Sequence, residues 1–359
     1  MTELGLRRLL NLALLALPRA QDAPHVRYGE APPFGKGGPE VKLRLLRQYI
    51  PESRLCFNIL YLLGAGRPDF GFIEAAKARG IRVVVNQNGV YYPAVRPGDW
   101  QTANEPMRRM RQLADYIFYQ SEFSRTGSEK FLGPASAPWE ILPNAVDTGT
   151  FRPAPHCHCS GEFVLLSTGW IVDEAMLASF ANLLAALKIL RARRGDWRFV
   201  FAGAFSLGGS CSDFQPRAED LIRQSGLGER IQLLSRYGRR NAPSVFQQGH
   251  IYLHMKSMDW CPNGVLEALA SGLPIVYPAV GGVCELVDEA CGIGVPAVLN
   301  WERVCLPCPE DYAAAICEAM ERRDELAHGA RARAVARYDV RPWVARHREV
   351  FARLLRQGG

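Results

Sequence analysis

The stretch CPNGVLEALASGLPIVYPAVGGVCELV, Cys261 to Val287, begins two residues after Asp259, and its reading sets how the rest of the chain is read. Asn263 is a good N-cap, which predicts a short helix from Gly264 with Glu267 in its first turn and Gly272 as its stop. The apolar strand PIVYPA follows, and Gly281-Gly282 leads into a second helix. Two helix N-termini at one strand edge present amides and dipoles to an anion, most naturally a diphosphate. The absent side chains at Gly281 and Gly282 would let backbone approach such a ligand. A carboxylate at Glu267 suits a pair of hydroxyls, as on a ribose, and Asp259 before the helix suits the hydroxyls of a sugar. A first-turn acid is also favourable by itself, yet that explains one residue and not the whole arrangement.

Outward from this stretch the chain alternates strands and helices. FNILYLLGAG, IRVVVNQNG and YIFYQS read as buried strands, with helices over DFGFIEAAKARG, from Trp100 to Ala114, and from Glu122 to Leu132. The proline-rich RPAPHCHCSGE, Arg152 to Glu162, breaks the rhythm and reads as a linker. Beyond it the alternation restarts with FVLLST, RFVFAG, IQLLS and IYLHM, and three helical segments close the chain after Pro309. Near-continuous apolar strands between helices predict parallel sheets covered on both faces. The expected organisation is an apolar and basic segment over 1–24, a first Rossmann-like domain over 25–151 and a linker over 152–162. A second such domain is expected over 163–338, with a last helix over 339–359 that crosses back to the first domain. This is an α/β architecture of two doubly wound halves, with ligands expected outside the carboxyl ends of the strands, in the cleft between domains.

Composition bounds the function. With 359 residues, 48% hydrophobic and 22% charged, the chain suits two globular domains and is not of a disordered kind. Much of the net charge of +7 lies in the tail arginines 331, 333, 337, 341, 346, 348, 353 and 356. They read either as a solvated helix face or as a patch for anionic lipid or a phosphate-bearing substrate. Nucleic acid is not expected as a partner, because basic and aromatic residues are not interleaved. Ten cysteines are scattered through core-like elements, where Cys261, Cys284 and Cys317 read as reduced small hydrophobes. HCHC (156–159) and CLPC (305–308) hold enough ligands for zinc, but their spacing does not support one site, and no metal is expected. The N-terminal MTELGLRRLLNLALLALPRAQDA is short for a membrane span and, with Glu3 and Pro18, unlike a signal peptide. An interfacial amphipathic helix and a helix packed on the protein's own surface both remain open, so a cytoplasmic protein with at most peripheral membrane contact is expected.

Three motifs carry a resemblance: D-W-CPNGV-L-E-ALASGLPIV…VGGVCELV, ILPNAVDTGTFRP (Ile141 to Pro153) and FGKGGPEVKLRLL. Together they resemble the E-x7-E segment, the hinge and the N-domain glycine loop of retaining glycosyltransferases of the GT-B fold, in particular the large family 4. The resemblance covers roughly His25 to the end. It implies two facing domains with a deep cleft, a nucleotide-diphosphate sugar donor on the second, a hydroxyl acceptor on the first, and no cofactor. Carried over by position, Glu267 binds the ribose, Asp259 stands for the first acid and contacts sugar hydroxyls, and Asn263, Gly264 and Val265 help hold sugar or phosphate. Gly281 and Gly282 then face the diphosphate, which Gly37 and Gly38 approach from the other domain, and Asn86, Gln87 and Asn88 lie on the acceptor side.

Two departures stand out. Asp259 is shorter than the usual Glu. The basic pair that the family places after the first strand of the second domain is missing from STGWIVDEAML, which leaves Lys256, three residues before Asp259, as the nearest cation. A diphosphate without a cation loses a large electrostatic stabiliser. Beside a transferase, a non-catalytic nucleotide-sugar-binding protein and a sugar-nucleotide epimerase are therefore kept in view.

Overall fold

The alternating pattern forms, in the computed structural model, two parallel sheets with helices packed on them. The structure describes residues 14–15, 17, 23–29, 38–64, 66, 68–155, 161–205 and 214–357. The apolar N-terminal run and the HCHC cluster lie almost wholly or wholly outside them.

One compact unit takes in the described residues up to Asn144 together with those from Val340 onward. Its sheet sets β1 (Val26–Tyr28), β2 (Ile59–Leu63), β3 (Arg82–Gln87), β4 (Tyr116–Tyr119) and β5 (Trp139–Ile141) side by side in chain order. Among the described residues these strands step one way in chain order. Side chains alternate between faces. Leu60, Leu62, Val83, Val85, Ile117 and Tyr119 point to one face, against Phe72, Ile73 and Met110 of the helices Phe70–Ala78 and Trp100–Leu113. Tyr61 and Phe118 point to the other, where His347 of the helix Val340–Arg356 lies 5.6 and 4.6 Å from their rings. That final helix buries Trp343, Val344, Val350, Phe351 and Leu354, the apolar stripe expected of it.

The second unit runs from Ala145 to Asp339 and so includes the described part of the expected linker. Its sheet has the order β11-β10-β9-β6-β7-β8, from β6 (Phe163–Trp170), β7 (Trp197–Ala204), β8 (Ile231–Leu234), β9 (Ile251–Leu253), β10 (Ile275–Pro278) and β11 (Gly292–Val295). Here the order does reverse, between β6 and β9. One face packs on the helices Glu174–Arg193 and Pro309–Glu321, the other on Asn263–Ala270 and Arg323–Arg337. The helix Glu174–Arg193 is apolar and long enough to cross a membrane by length and composition, and its Phe180, Leu183, Leu187 and Leu190 are fully buried in this core.

Three local expectations are corrected. The cap of the helix Asn263–Ala270 is Pro262, not Asn263, which places Glu267 one residue further in and past the first turn. A proline fits that boundary because its extended backbone turns the chain into the helix. Cys284 is exposed rather than part of an apolar face, while Cys261 is buried. Nor are the tail arginines one uniform surface. Arg331 donates to the carbonyls of Thr148, Phe151 and Ala270, and Arg333 to those of Leu286 and Glu285. Their long stems reach open chain ends that need donors.

Candidate functional site

The reversal between β6 and β9 opens a crevice at the carboxyl ends of the strands, where sheets of this kind bind ligands. Residues of β6, β9 and the helix Asn263–Ala270 meet there. The Thr168 Oγ1 lies 2.9 Å from the Tyr252 hydroxyl, and Tyr237 packs against the same core. Gly264 sits against this pair: a Cβ there would fall 2.6 Å from the Tyr252 hydroxyl and 3.1 Å from Thr168 Oγ1. Its glycine therefore makes room for a hydroxyl cluster. Val265 is buried and turns its N–H to the Pro262 carbonyl at 3.2 Å.

Glu267 projects beside this cluster, half-buried. Burial pushes its carboxyl up to about 7, against the opposing charge of Arg239. One guanidinium nitrogen of Arg239, Nη1, is itself buried without a hydrogen-bond partner. A carboxyl poised between its two charge states and a nearby cation with an unmade bond suit a polar ligand better than a closed core.

Asp259 is fixed from several sides. Its Oδ1 accepts from Lys256 Nζ at 3.2 Å and from its neighbour's backbone N–H, that of Trp260, at 2.9 Å. His254 Nε2 stands 3.6 Å from Oδ2. Burial works against the ionised carboxyl, but the charge of Lys256 and the hydrogen bonds from Lys256 and the Trp260 N–H outweigh it and hold the carboxyl below its ordinary range. His254 is lowered to about 4, by burial first and then by the charge of Lys256. It is thus a neutral, buried imidazole beside an anion, with no hydrogen bond at Nε2.

The glycine pair serves this acid. Gly281 has φ +96°, and a Cβ on it would fall 2.7 Å from Met258 Cα, so only glycine lets the two backbones pass. Gly282 donates its N–H to the Asp259 carbonyl at 2.7 Å. Gly282 and Val265 therefore spend on the protein the N–H groups expected to face a ligand, and the helix after Gly282 is only four residues long.

In the first unit, Asn86, Gln87 and Asn88 end β3 in a buried polar network. Lys42, 3% exposed, donates from Nζ to Asn86 Oδ1 at 2.5 Å and to Asn88 Oδ1 at 3.2 Å. Gln120 donates to the same two oxygens at 3.3 and 2.8 Å. Gln87 turns away, donating to the Gly89 carbonyl at 2.9 Å. Gly38 opens the helix Gly38–Tyr49 that carries Lys42, and Gly37 lies outside the described residues. Sequence reasoning missed Lys42, Gln120, Thr168, Tyr237, Arg239, Tyr252 and His254. Lys42 was the readable one, since it takes the place of an apolar residue in a stripe with Leu45, Leu46 and Tyr49.

Residues 162–322 match the family model described as glycosyl transferases group 1. A phosphatidylinositol N-acetylglucosaminyltransferase subunit from Arabidopsis thaliana is 25% identical over 220 residues, 60% of this chain and 45% of the relative. The human protein of the same name is 24% identical over 150 residues, 42% of this chain and 28% of the relative. The matched stretches thus span less than half the length of these relatives. Among solved structures, Anabaena Alr3699/HepE in complex with UDP-glucose superposes with a TM-score of 0.69 at 15% identity, covering 91% of this chain and 99% of that one. Sucrose-phosphate synthase from Thermosynechococcus elongatus gives 0.67 at 14% identity, covering 88% and 77%. At such identities the likeness is one of fold, and that fold is GT-B.

Proposed function

This chain carries the group 1 glycosyltransferase sequence over residues 162–322 on a GT-B fold, and from that premise we propose that it transfers a sugar from a nucleotide-diphosphate donor to a hydroxyl acceptor. The observation that carries the reading is Glu267, half-buried at the reversal of the second sheet, eight residues after an Asp259 held ionised by Lys256. In this reading Glu267 accepts the two ribose hydroxyls and Asp259 accepts hydroxyls of the donor sugar. Lys256 and His254 position Asp259. A UDP-sugar is the first donor to try, because the Anabaena neighbour is complexed with UDP-glucose.

The transfer breaks the bond from the anomeric carbon to the diphosphate and forms one to the acceptor oxygen. The acceptor's proton passes to the departing diphosphate on the same face, so the configuration is retained without a protein nucleophile. Asn86, Asn88 and Lys42 would line the acceptor side, with a glycan, a lipid or a small molecule supplying the hydroxyl. We place the protein in the cytoplasm, with peripheral membrane contact if the acceptor is a lipid.

The test is nucleotide release from UDP- and GDP-sugars with a panel of hydroxyl acceptors that includes an inositol lipid. Release that depends on an acceptor supports the transferase. Tight binding with no release under any acceptor favours the second reading, a nucleotide-sugar-binding protein, which the missing basic pair after β6 motivates.

A further inference from the structure

The donor reading leaves one requirement open: a departing diphosphate needs positive charge, and β6 ends in Ser-Thr-Gly-Trp with no basic residue after it. Another part of the chain brings cations to that strand end. After β8 the sequence runs Ser235-Arg-Tyr-Gly-Arg-Arg240. The Arg236 guanidinium lies over Trp170, the last residue of β6, 5.1 Å from its ring centroid. Tyr237, the next residue, packs against the core that holds Tyr252 and Val265. The segment is thus held at the end of β6 by Arg236 and against the core by Tyr237.

Arg239 follows, with its buried Nη1 unpartnered. Among the described residues neither Arg236 nor Arg239 forms an ion pair, whereas Arg217, Arg223 and Arg230 of the same unit pair with Glu174, Asp220 and Glu162. Lys256, the other cation near the site, is already taken up by Asp259 at 3.2 Å. A guanidinium held over an indole ring keeps N–H groups available, and these match phosphate oxygens two at a time.

We propose that Arg236, seated on Trp170, and Arg239 beside it form the diphosphate-binding cation site of this chain, supplied from the segment after β8 instead of from the end of β6. The ligand class is a nucleoside diphosphate, free or within a sugar donor, and the proposal rests on the donor reading above.

Calorimetry on the full chain tests it with two nucleotide series: UDP, UMP and uridine, and GDP, GMP and guanosine. For the series that binds, the wild type should prefer the diphosphate over the monophosphate by at least ~10-fold, the scale of one charge-assisted hydrogen bond. Arg236→Gln with Arg239→Gln should bring that ratio to within about twofold of unity, and the ratio is read because Arg239 also faces Glu267 and its loss shifts diphosphate and monophosphate affinity alike. Arg236→Lys, which keeps the charge and loses the two-pronged edge, should recover part of the preference. Equal thermal midpoints would show that these variants are folded. If the double glutamine variant keeps the wild-type ratio, the diphosphate is neutralised elsewhere and the proposal fails while the donor reading stands. If the wild type binds neither series, both fall together.

Discussion

Glu267 is a carboxyl whose surroundings oppose its charge, and that makes its role measurable. Its folded value of about 7 lies above the ordinary 4.5, so the apo protein is half-protonated near neutrality. Ribose hydroxyls bind the charged form best, so binding must first remove a proton. Donor affinity should therefore rise about tenfold from pH 6 to pH 7.5 and then level off. Glu267→Gln should remove that rise and weaken binding at pH 8 by about 1–3 kcal/mol, as read by titration calorimetry. A variant with unchanged affinity and the same pH profile would remove Glu267 from the site. Gly264 offers a test of geometry alone. Gly264→Ala drives a Cβ into the Tyr252 hydroxyl 2.6 Å away and should destabilise the fold by about 1–3 kcal/mol. Adding Tyr252→Phe removes the offending oxygen and should return part of that loss, so the two changes must be non-additive in a denaturant-unfolding cycle.

Among the elements, the last two helices do different work with similar arginine-rich sequences. In Arg323–Arg337, Arg331 closes the carbonyls of Thr148, Phe151 and Ala270, which tie the entry of the second unit to the end of the helix Asn263–Ala270. Arg331→Met should keep the stem packing, lose those bonds and cost about 1–3 kcal/mol in chemical denaturation. The helix Val340–Arg356 covers a face of the first sheet with a wholly buried Phe351 and with Arg346 paired to Glu140. Phe351→Ala should cost about 3–5 kcal/mol by opening a cavity under Tyr61, with nucleotide affinity in the second unit left intact. A matching loss of nucleotide affinity would show that the donor site depends on the first unit's core.

For the molecule as a whole, buried histidines set the response to acid. His347 hydrogen-bonds the Tyr61 hydroxyl and is lowered to about 3 by burial; His254 is lowered to about 4 for the same first reason. Both have folded values below the ordinary 6.5, so the unfolded chain takes up protons that the folded one refuses. Their stabilisation is full above pH 6.5 and is lost as pH falls, by at most about 1.4 kcal/mol per pH unit for each. Glu267 has the opposite sign. Its stabilisation is full below 4.5 and lost as pH rises through about 7, so it offsets one histidine between those values. The thermal midpoint should fall gently from pH 7 to 4.5 and more steeply below, and His347→Phe should flatten the upper part if the ring packs. A midpoint that climbs on acidification would contradict the assignment.

The alternating sheet and helix pattern was legible because it is local: apolar runs of strand length between amphipathic helices fit few other arrangements, and Gly272 at φ +73° ends its helix as its place in the sequence implied. Glu267 and Asp259 were legible as chemistry, since acids and glycines at that spacing have few structural reasons to occur together. The partners that give those acids their properties were not. Tyr252 and Thr168 are 84 residues apart in the chain, and Lys42 and Asn86 are 44 apart. Such pairs are brought together by strand order, which the sequence does not spell out. Strand order also decided where the second sheet reverses, and so that the crevice of that sheet opens beside Glu267. The glycine pair shows the same division. The freedom of Gly281 to adopt unusual backbone was written in the sequence, but the tertiary structure spent it on the Met258–Asp259 backbone, because that chain passes too close for any Cβ.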